Sequence, residues 1–262
     1  MFMKLKFLGT GGGRYVTGEQ RRKTAGIIIE TEKTRVHIDP GPGALVYANK
    51  EYSSPEKIEG LIVSHAHPDH SSDAEPIIEM ITEAYSNQAT LFANETALNG
   101  YGEIEKSVSS YHKGLCSQVE KLEEGSKHEY KDIKINSQEM FHGDPRNQGF
   151  TLETDKKKIG FWTDTQYSEE LLGLYTDCDI MVIYCTRPEG KSIKGHTSID
   201  DVPDIMESTE ASTCIITHFG YALLDSDLDE QKEYIEEEID GKVIFAYDGM
   251  EFPGESSLER FS

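Results

Sequence analysis

The segment Ser64-His65-Ala66-His67-Pro68-Asp69-His70-Ser71-Ser72-Asp73 constrains this chain more than any other. It follows Leu61-Ile62-Val63, a short apolar run that suits a buried strand. If the extended geometry continues, residues 65, 67 and 69 share one side, because strand side chains alternate with period two, and His65 and His67 grip one ion together. Pro68 stops further pairing, and the turn it forces swings Asp69 and His70 toward a second ion. Ser71, Ser72 and Asp73 then read as a helix start. Neutral imidazoles with a few carboxylates are the donor set of zinc and other borderline divalent ions. A solvated turn has no need of three His and an Asp in six residues.

Other strands deliver chemistry to their ends in the same way. Lys4 to Leu8 alternates like a strand and runs into Gly9-Thr10-Gly11-Gly12-Gly13. No Gly-Lys-Ser/Thr follows and no clear helix begins there, so the loop reads as a flexible turn near a site mouth and not as a phosphate cradle. Ala25 to Glu30 and Thr34 to Asp39 form a hairpin in which His37 is a strand residue without a metal role. Helices are expected over 44–50, 73–85, 199–208 and 228–239, and strands over 90–93, 180–184, 214–217 and 243–246. Ile133 to Phe141 is a strand ending at His142, and a hairpin of Gly149 to Thr154 with Lys158 to Thr163 ends at Asp164. The strand after Cys214 delivers His218, and Asp248 forms a turn. Residues 100–128 are the least informative stretch.

His-x-His-x-Asp-His after a short apolar strand resembles the signature of the metallo-β-lactamase superfamily of hydrolases. That resemblance runs from about Leu5 to Met250 and implies an α/β fold, a four-layer αββα sandwich, formed by residues 1–262 as a single domain. It implies that His65, His67 and His142 hold one divalent ion, that Asp69, His70 and His218 hold a second, and that Asp164 bridges them. Zinc is the usual metal, with manganese or iron also compatible with these ligands. Asp39 takes the place of a structural aspartate that braces the metal loop. A hydroxide held between the ions is the implied nucleophile.

Gly195-His196-Thr197-Ser198, with Thr217-His218-Phe219 arriving 22 residues later, resembles the branch of transfer-RNA 3′ endonucleases and the phosphonate-operon cyclic phosphodiesterase. The expected function is a phosphodiesterase acting on a small phosphodiester such as a cyclic nucleotide or sugar phosphate, with Asp69 and His196 as the catalytic residues. A lactone, ester or thioester hydrolase and a non-catalytic metal-binding scaffold are the alternatives. Glyoxalase-type relatives usually add a helical domain where only 44 residues follow His218, and oxygen-reducing relatives usually carry Glu at the position of His67.

Transfer RNA is not expected as a partner. Only 21 residues separate His142 from Asp164, too few for a substrate-gripping arm, and Cys185 stands where the branch carries an acidic residue before Thr186. Lys plus Arg is 26 against 48 Asp plus Glu, a net charge of −22 that repels a nucleic-acid backbone. Four widely spaced cysteines read as reduced thiols, and no apolar run approaches a membrane span. A small-molecule substrate, a cytoplasmic location and a homodimer complete the expectation.

Overall fold

The computed structural model describes residues 3–83 and 86–253. Its strands form two mixed sheets. Across the first sheet lie, in order, Glu251–Phe252, Lys4–Phe7, Ile27–Glu30, Arg35–Ile38, Gly60–Val63, Thr90–Asn94 and Gln118–Leu122. Across the second lie Lys242–Phe245, Thr213–Thr217, Ile180–Arg187, Lys158–Trp162, Gln148–Glu153, Ile133–Glu139 and Lys127–Tyr130, with Thr197–Ser198 paired beside Ile180–Arg187. Both halves follow one plan. Antiparallel neighbours come first, Lys4–Phe7 through Arg35–Ile38 and Lys127–Tyr130 through Lys158–Trp162. Parallel neighbours follow, through Gly60–Val63, Thr90–Asn94 and Gln118–Leu122 in one half and through Ile180–Arg187, Thr213–Thr217 and Lys242–Phe245 in the other.

Period-two alternation assigns each strand's side chains to one of three apolar layers. Ile27, Ile29 and Ile62 join Phe150, Phe161, Val182 and Ile215 in the layer between the sheets. Their neighbours Ile28, Leu61 and Val63 face outward onto Ala44, Ala48, Ile77, Ile78 and Ile81 of the helices Ala44–Glu51 and Ala74–Thr82. On the far side Trp162, Met181, Ile183 and Ile216 pack on Val202, Ile205 and Ile235 of the helices Val202–Thr209 and Leu228–Glu238. Helix, sheet, sheet and helix therefore stack as four tiers with three apolar layers between them, the αββα sandwich expected from the resemblance.

The structure departs from the expected elements in several places. A six-residue helix, Arg14–Glu19, does begin after the glycine loop. The uninformative stretch contains the helix Ser110–Leu115, capped by the Ser109 side chain on His112 N–H, and the strands Gln118–Leu122 and Lys127–Tyr130. The helix expected over 73–85 runs from Ala74 to Thr82, and residues 84 and 85 lie outside the described residues. All four cysteines are free thiols, and three are buried. No helix among the described residues is long and apolar enough to cross a membrane.

Candidate metal centre

The candidate residues lie just beyond strand ends contributed by both sheets. The strand Gly60–Val63 stops before Ser64, and Pro68–Ser71 form one helical turn with Pro68 in its first turn. His65, His67 and Asp69 therefore do not share a strand face as the alternation suggested. Pro68 starts a helical turn instead, because its fixed φ is already helical and its missing N–H costs nothing there. That turn still brings Asp69 and His70 round toward His218. Asp73 precedes the next helix without capping it through its side chain, and its carboxylate accepts from Leu45 N–H at 3.0 Å.

Two groups of donors result. His65, His67 and His142 offer ligand atoms all within 4.8 Å of one another, as do Asp69, His70, Asp164 and His218. Every one of the seven residues is thus brought into one of two adjoining clusters. His142, Asp164 and His196 make a third overlapping group. His37, by contrast, is fully buried with Nε2 2.8 Å from Ala25 O, away from both clusters.

Hydrogen-bond accounting shows that these donors fit divalent ions. Ser64 Oγ gives its single proton to Asp39 Oδ2 at 2.9 Å, so His65 Nδ1, 3.1 Å from that oxygen, is the donor to it and His65 Nε2 carries a lone pair. His142 Nδ1 must likewise donate to Gly195 O at 2.7 Å, which leaves a lone pair on His142 Nε2. Both lone pairs face His67 Nδ1, at 2.9 and 3.0 Å, and one N–H can satisfy at most one of them. Converging lone pairs of this kind are what a cation satisfies. Burial and the neighbouring imidazoles hold His65 well below the ordinary histidine value, and burial lowers His142 to about 4, so both rings stay neutral as ligands must.

The second cluster is electrostatically the inverse. Burial opposes charge on His70, but the Asp69 and Asp39 carboxylates, with the hydrogen bond that His70 donates to Asp164, together raise it well above the ordinary value. Burial would also raise Asp69 and Asp164, yet His70 and His218 hold both carboxyls well below the usual range. The carboxylates are thus ionised, and a proton on His70 stands where a metal cation would supply the positive charge. Asp164 Oδ1 and His218 Nδ1 are buried and 3.1 Å apart, yet neither has a hydrogen-bond partner in the protein. Orphaned buried polar atoms at a site edge call for a ligand.

Surrounding residues hold these donors in place. Asp39 sits at φ +49° after the strand Arg35–Ile38 and accepts from Ser64 N–H at 2.7 Å, from Ser64 Oγ, from His70 Nδ1 at 3.0 Å and from Tyr184 OH at 3.1 Å. The bracing role expected of it matches this geometry. His218 sits at φ +60°, a conformation that L-residues pay to adopt and that is concentrated at functional sites. A Cβ on Gly12 would lie 2.2 Å from the His218 ring, and Gly13 N–H donates to Asp69 Oδ2 at 2.7 Å. The glycine loop is therefore packed against the site and is not a free turn. Asp248 is more than a turn former as well: it fixes that loop by accepting from Thr10 N–H and Thr10 Oγ1 and from Lys23 N–H.

Sequence reasoning missed two supporting residues. Asp144 is fully buried and takes hydrogen bonds from Ala66 N–H, Asn94 Nδ2, Thr96 Oγ1 and Arg146 N–H, which ties the His65–His67 loop to the second sheet. Its place two residues after His142 was the available signal. Tyr184 stacks on His218 with ring centroids 5.1 Å apart and an interplanar angle of 8°. A tyrosine in an apolar strand carries no such signal. Cys185, beside it, is buried in the outer apolar layer.

Two mixed sheets enclosed by helices, with His and Asp converging from the strand ends of both, define the class of metal-dependent hydrolases built as αββα sandwiches. The family described as the beta-lactamase superfamily domain matches residues 34–219, and the chain belongs to it. An uncharacterized protein of Methanocaldococcus jannaschii is 34% identical over 253 residues, which span 95% of this chain and 94% of that one. Among solved structures, a diphosphatase from the PhnP family superposes with a TM-score of 0.70 at 18% identity, covering 96% of this chain and 97% of its own. The short form of human tRNase Z gives a TM-score of 0.68 at 14% identity, covering 95% and 98%. At these identities the structures are similar in fold. The fold implies divalent metal ions, and the paired His/Asp clusters are where they would sit.

Proposed function

We propose that this chain is a dinuclear metal-dependent phosphodiesterase acting on small phosphodiesters. His65, His67 and His142 would hold one ion, Asp69, His70 and His218 the other, and Asp164 both, with zinc the metal that suits so many imidazoles. Two such ions would supply Lewis acidity and a water that is nucleophilic at neutral pH. The protein's own residues do the rest. Asp39, through Ser64 and His70, and Asp144, through Ala66, fix the orientation of the donors.

The observation that carries the phosphodiester assignment is the position of His196. Its ring lies 4.9 Å from that of His142, and Nδ1 is buried, without a protein partner and 3.9 Å from Asp164 Oδ1. Thr197 Oγ1, which accepts from Trp162 Nε1 at 3.0 Å and donates to Thr165 O at 2.8 Å, anchors the next residue. Seven donors already serve two ions, so His196 is free to donate a proton to the departing oxygen of a phosphodiester, work suited to an imidazole. Burial lowers its pKa, and the nearby Asp164 carboxylate opposes that by favouring the protonated ring. The similar fold of a PhnP-family diphosphatase is in keeping with chemistry at phosphorus.

A small substrate is favoured over transfer RNA. The residues between His142 and Asp164 are absorbed into the hairpin Gln148–Glu153 and Lys158–Trp162, which leaves no arm, and the net charge is −22. The test is turnover of bis-p-nitrophenyl phosphate against a lactone panel after loading with zinc or manganese. Phosphodiester hydrolysis that a chelator abolishes supports the proposal. Hydrolysis of lactones alone would replace it.

A further inference from the structure

Beside the metal clusters lies a second cavity of about 210 Å³, whose walls include Arg14, Tyr15, Thr186, Arg187, His196 and Tyr221. His196 and Arg14 also line the neighbouring cavity of about 330 Å³ that contains His67, His142, Asp69 and Asp164. The two spaces therefore share a wall, and a molecule whose phosphorus sits over the metal clusters would extend into the second one.

Its lining is unusual for this protein. Acidic residues outnumber basic ones 48 to 26, so a guanidinium normally finds a partner. Arg21 pairs with Asp225, Arg35 with Glu30 and Arg146 with Glu139, while Arg22 is tied to Thr10 and to Ala246 O over the Phe219 ring. Among the described residues, Arg14 and Arg187 are the arginines with neither a carboxylate within 4.0 Å nor such a buried tether, although Arg187 Nε donates to Lys191 O at 2.9 Å. Both line this one cavity. Two tyrosine rings, 67% and 43% exposed, stand edge to face at 6.1 Å beside them, and Arg21 covers one face of Tyr221 while the Tyr15 ring stays open. Deeper in, Thr186 is 5% exposed and its hydroxyl has no hydrogen-bond partner. Gly220 permits this depth, because a Cβ there would lie 2.5 Å from Thr186 O.

We infer that this cavity is the specificity pocket of the site: it packs an aromatic base against Tyr15 and Tyr221 and neutralises a second anionic group with Arg14 and Arg187, with Thr186 Oγ1 bonding a polar atom between them. Unpaired arginines fit phosphate oxygens in their planar fork, and exposed tyrosines supply a stacking face at small entropic cost. The substrate class is thus a nucleotide phosphodiester carrying an additional phosphate, in preference to a bare sugar phosphate. This inference rests on the phosphodiesterase reading only for the position of the phosphorus; the pocket itself can be probed without turnover.

The experiment is calorimetric titration of the metal-loaded protein with ADP, AMP and ribose 5-phosphate. ADP is expected to bind at least about tenfold more tightly than ribose 5-phosphate, from base stacking and the second phosphate together. Tyr15→Ala should remove most of the preference of AMP over ribose 5-phosphate, and Arg187→Gln most of the preference of ADP over AMP. These side chains are at the surface, so a circular-dichroism spectrum unchanged from wild type is the expected control. Equal binding of all three ligands, or preferences untouched by the substitutions, overturns the pocket even if phosphodiesters are hydrolysed. Nucleotide selectivity in a protein that hydrolyses no phosphodiester leaves the pocket standing and removes the activity.

Discussion

The Tyr184 hydroxyl, from a strand of the second sheet, donates to Asp39 Oδ2 at 3.1 Å, beyond the end of a strand of the first. The same carboxylate oxygen accepts from His70 Nδ1 at 3.0 Å, so one sheet orients a donor presented by the other. Tyr184→Phe should therefore leave the fold intact while weakening the ion at His70 by about 10-fold to 100-fold, the usual effect of losing an outer partner. Competition with a chromogenic chelator measures this. Two ions bound with wild-type affinity would show that Asp39 needs no help.

Asp164 faces both clusters, with Oδ2 3.3 Å from His70 Nε2 and 3.7 Å from His142 Nε2. Its replacement by Ala should weaken both ions together and abolish turnover. Elemental analysis after gel filtration gives the count. Loss of a single ion with turnover retained contradicts a bridging role.

For His196→Ala the expectation is opposite in kind. Both metals and the melting temperature should be kept, while turnover of a phosphodiester falls by about 10²–10⁴-fold, the range for a general acid. The alkaline limb of the pH–rate profile should disappear with it. Unchanged turnover with both ions bound retires the assignment and favours lactone chemistry.

Two glycines differ in what they can tolerate. Gly12→Ala places a methyl group 2.2 Å from the His218 ring and should displace that ring, costing activity and one ion. Gly18, inside the helix Arg14–Glu19, has open space around it, so Gly18→Ala should stabilise by about 0.4–1 kcal/mol and leave turnover alone. Thermal denaturation and a metal count on both variants separate the two effects.

His37 provides a pH test away from the metals. Burial lowers it to about 4, whereas in the unfolded chain it titrates at about 6.5. The unfolded state takes the proton first as pH falls, so the neutral ring contributes stability above pH 6.5 that is lost progressively down to about pH 4. The span corresponds to ~3 kcal/mol. Urea unfolding of chelated protein should therefore decline less between pH 6.5 and 4 in His37→Gln than in wild type. Parallel curves would show that His37 titrates normally.

Much of the site was legible because its donors sit beside short apolar strands: Leu61 to Val63 announces His65, and Cys214 to Thr217 announces His218. The edge strand Gln118–Leu122 was not legible, since four of its five residues are at least partly exposed and Gln, Glu and Lys give no alternation of apolar faces. Arg14–Glu19 was hidden by a glycine inside a six-residue helix that lacks a capping side chain. The strand expected to carry on through His65 failed because Pro68 starts a helical turn, a local choice that period-two alternation does not register. Asp248 and Asp144 act through partners far away in sequence, Thr10 and Asn94 among them, and such pairings become visible only when the chain has folded.

The two halves of the chain repeat one strand plan, and each cluster draws on both. His65 and His67 come from the first half and His142 from the second, while Asp69 and His70 meet Asp164 and His218. An ion in either cluster would consequently clamp the seam between the halves and would not be an accessory of one. By mass action, holding free metal at a thousand times its dissociation constant would add about 4.1 kcal/mol against separation of the halves. Metal supply would then govern how long the sandwich survives as well as whether it turns over, and a chelated chain should open first along the face where its chemistry takes place.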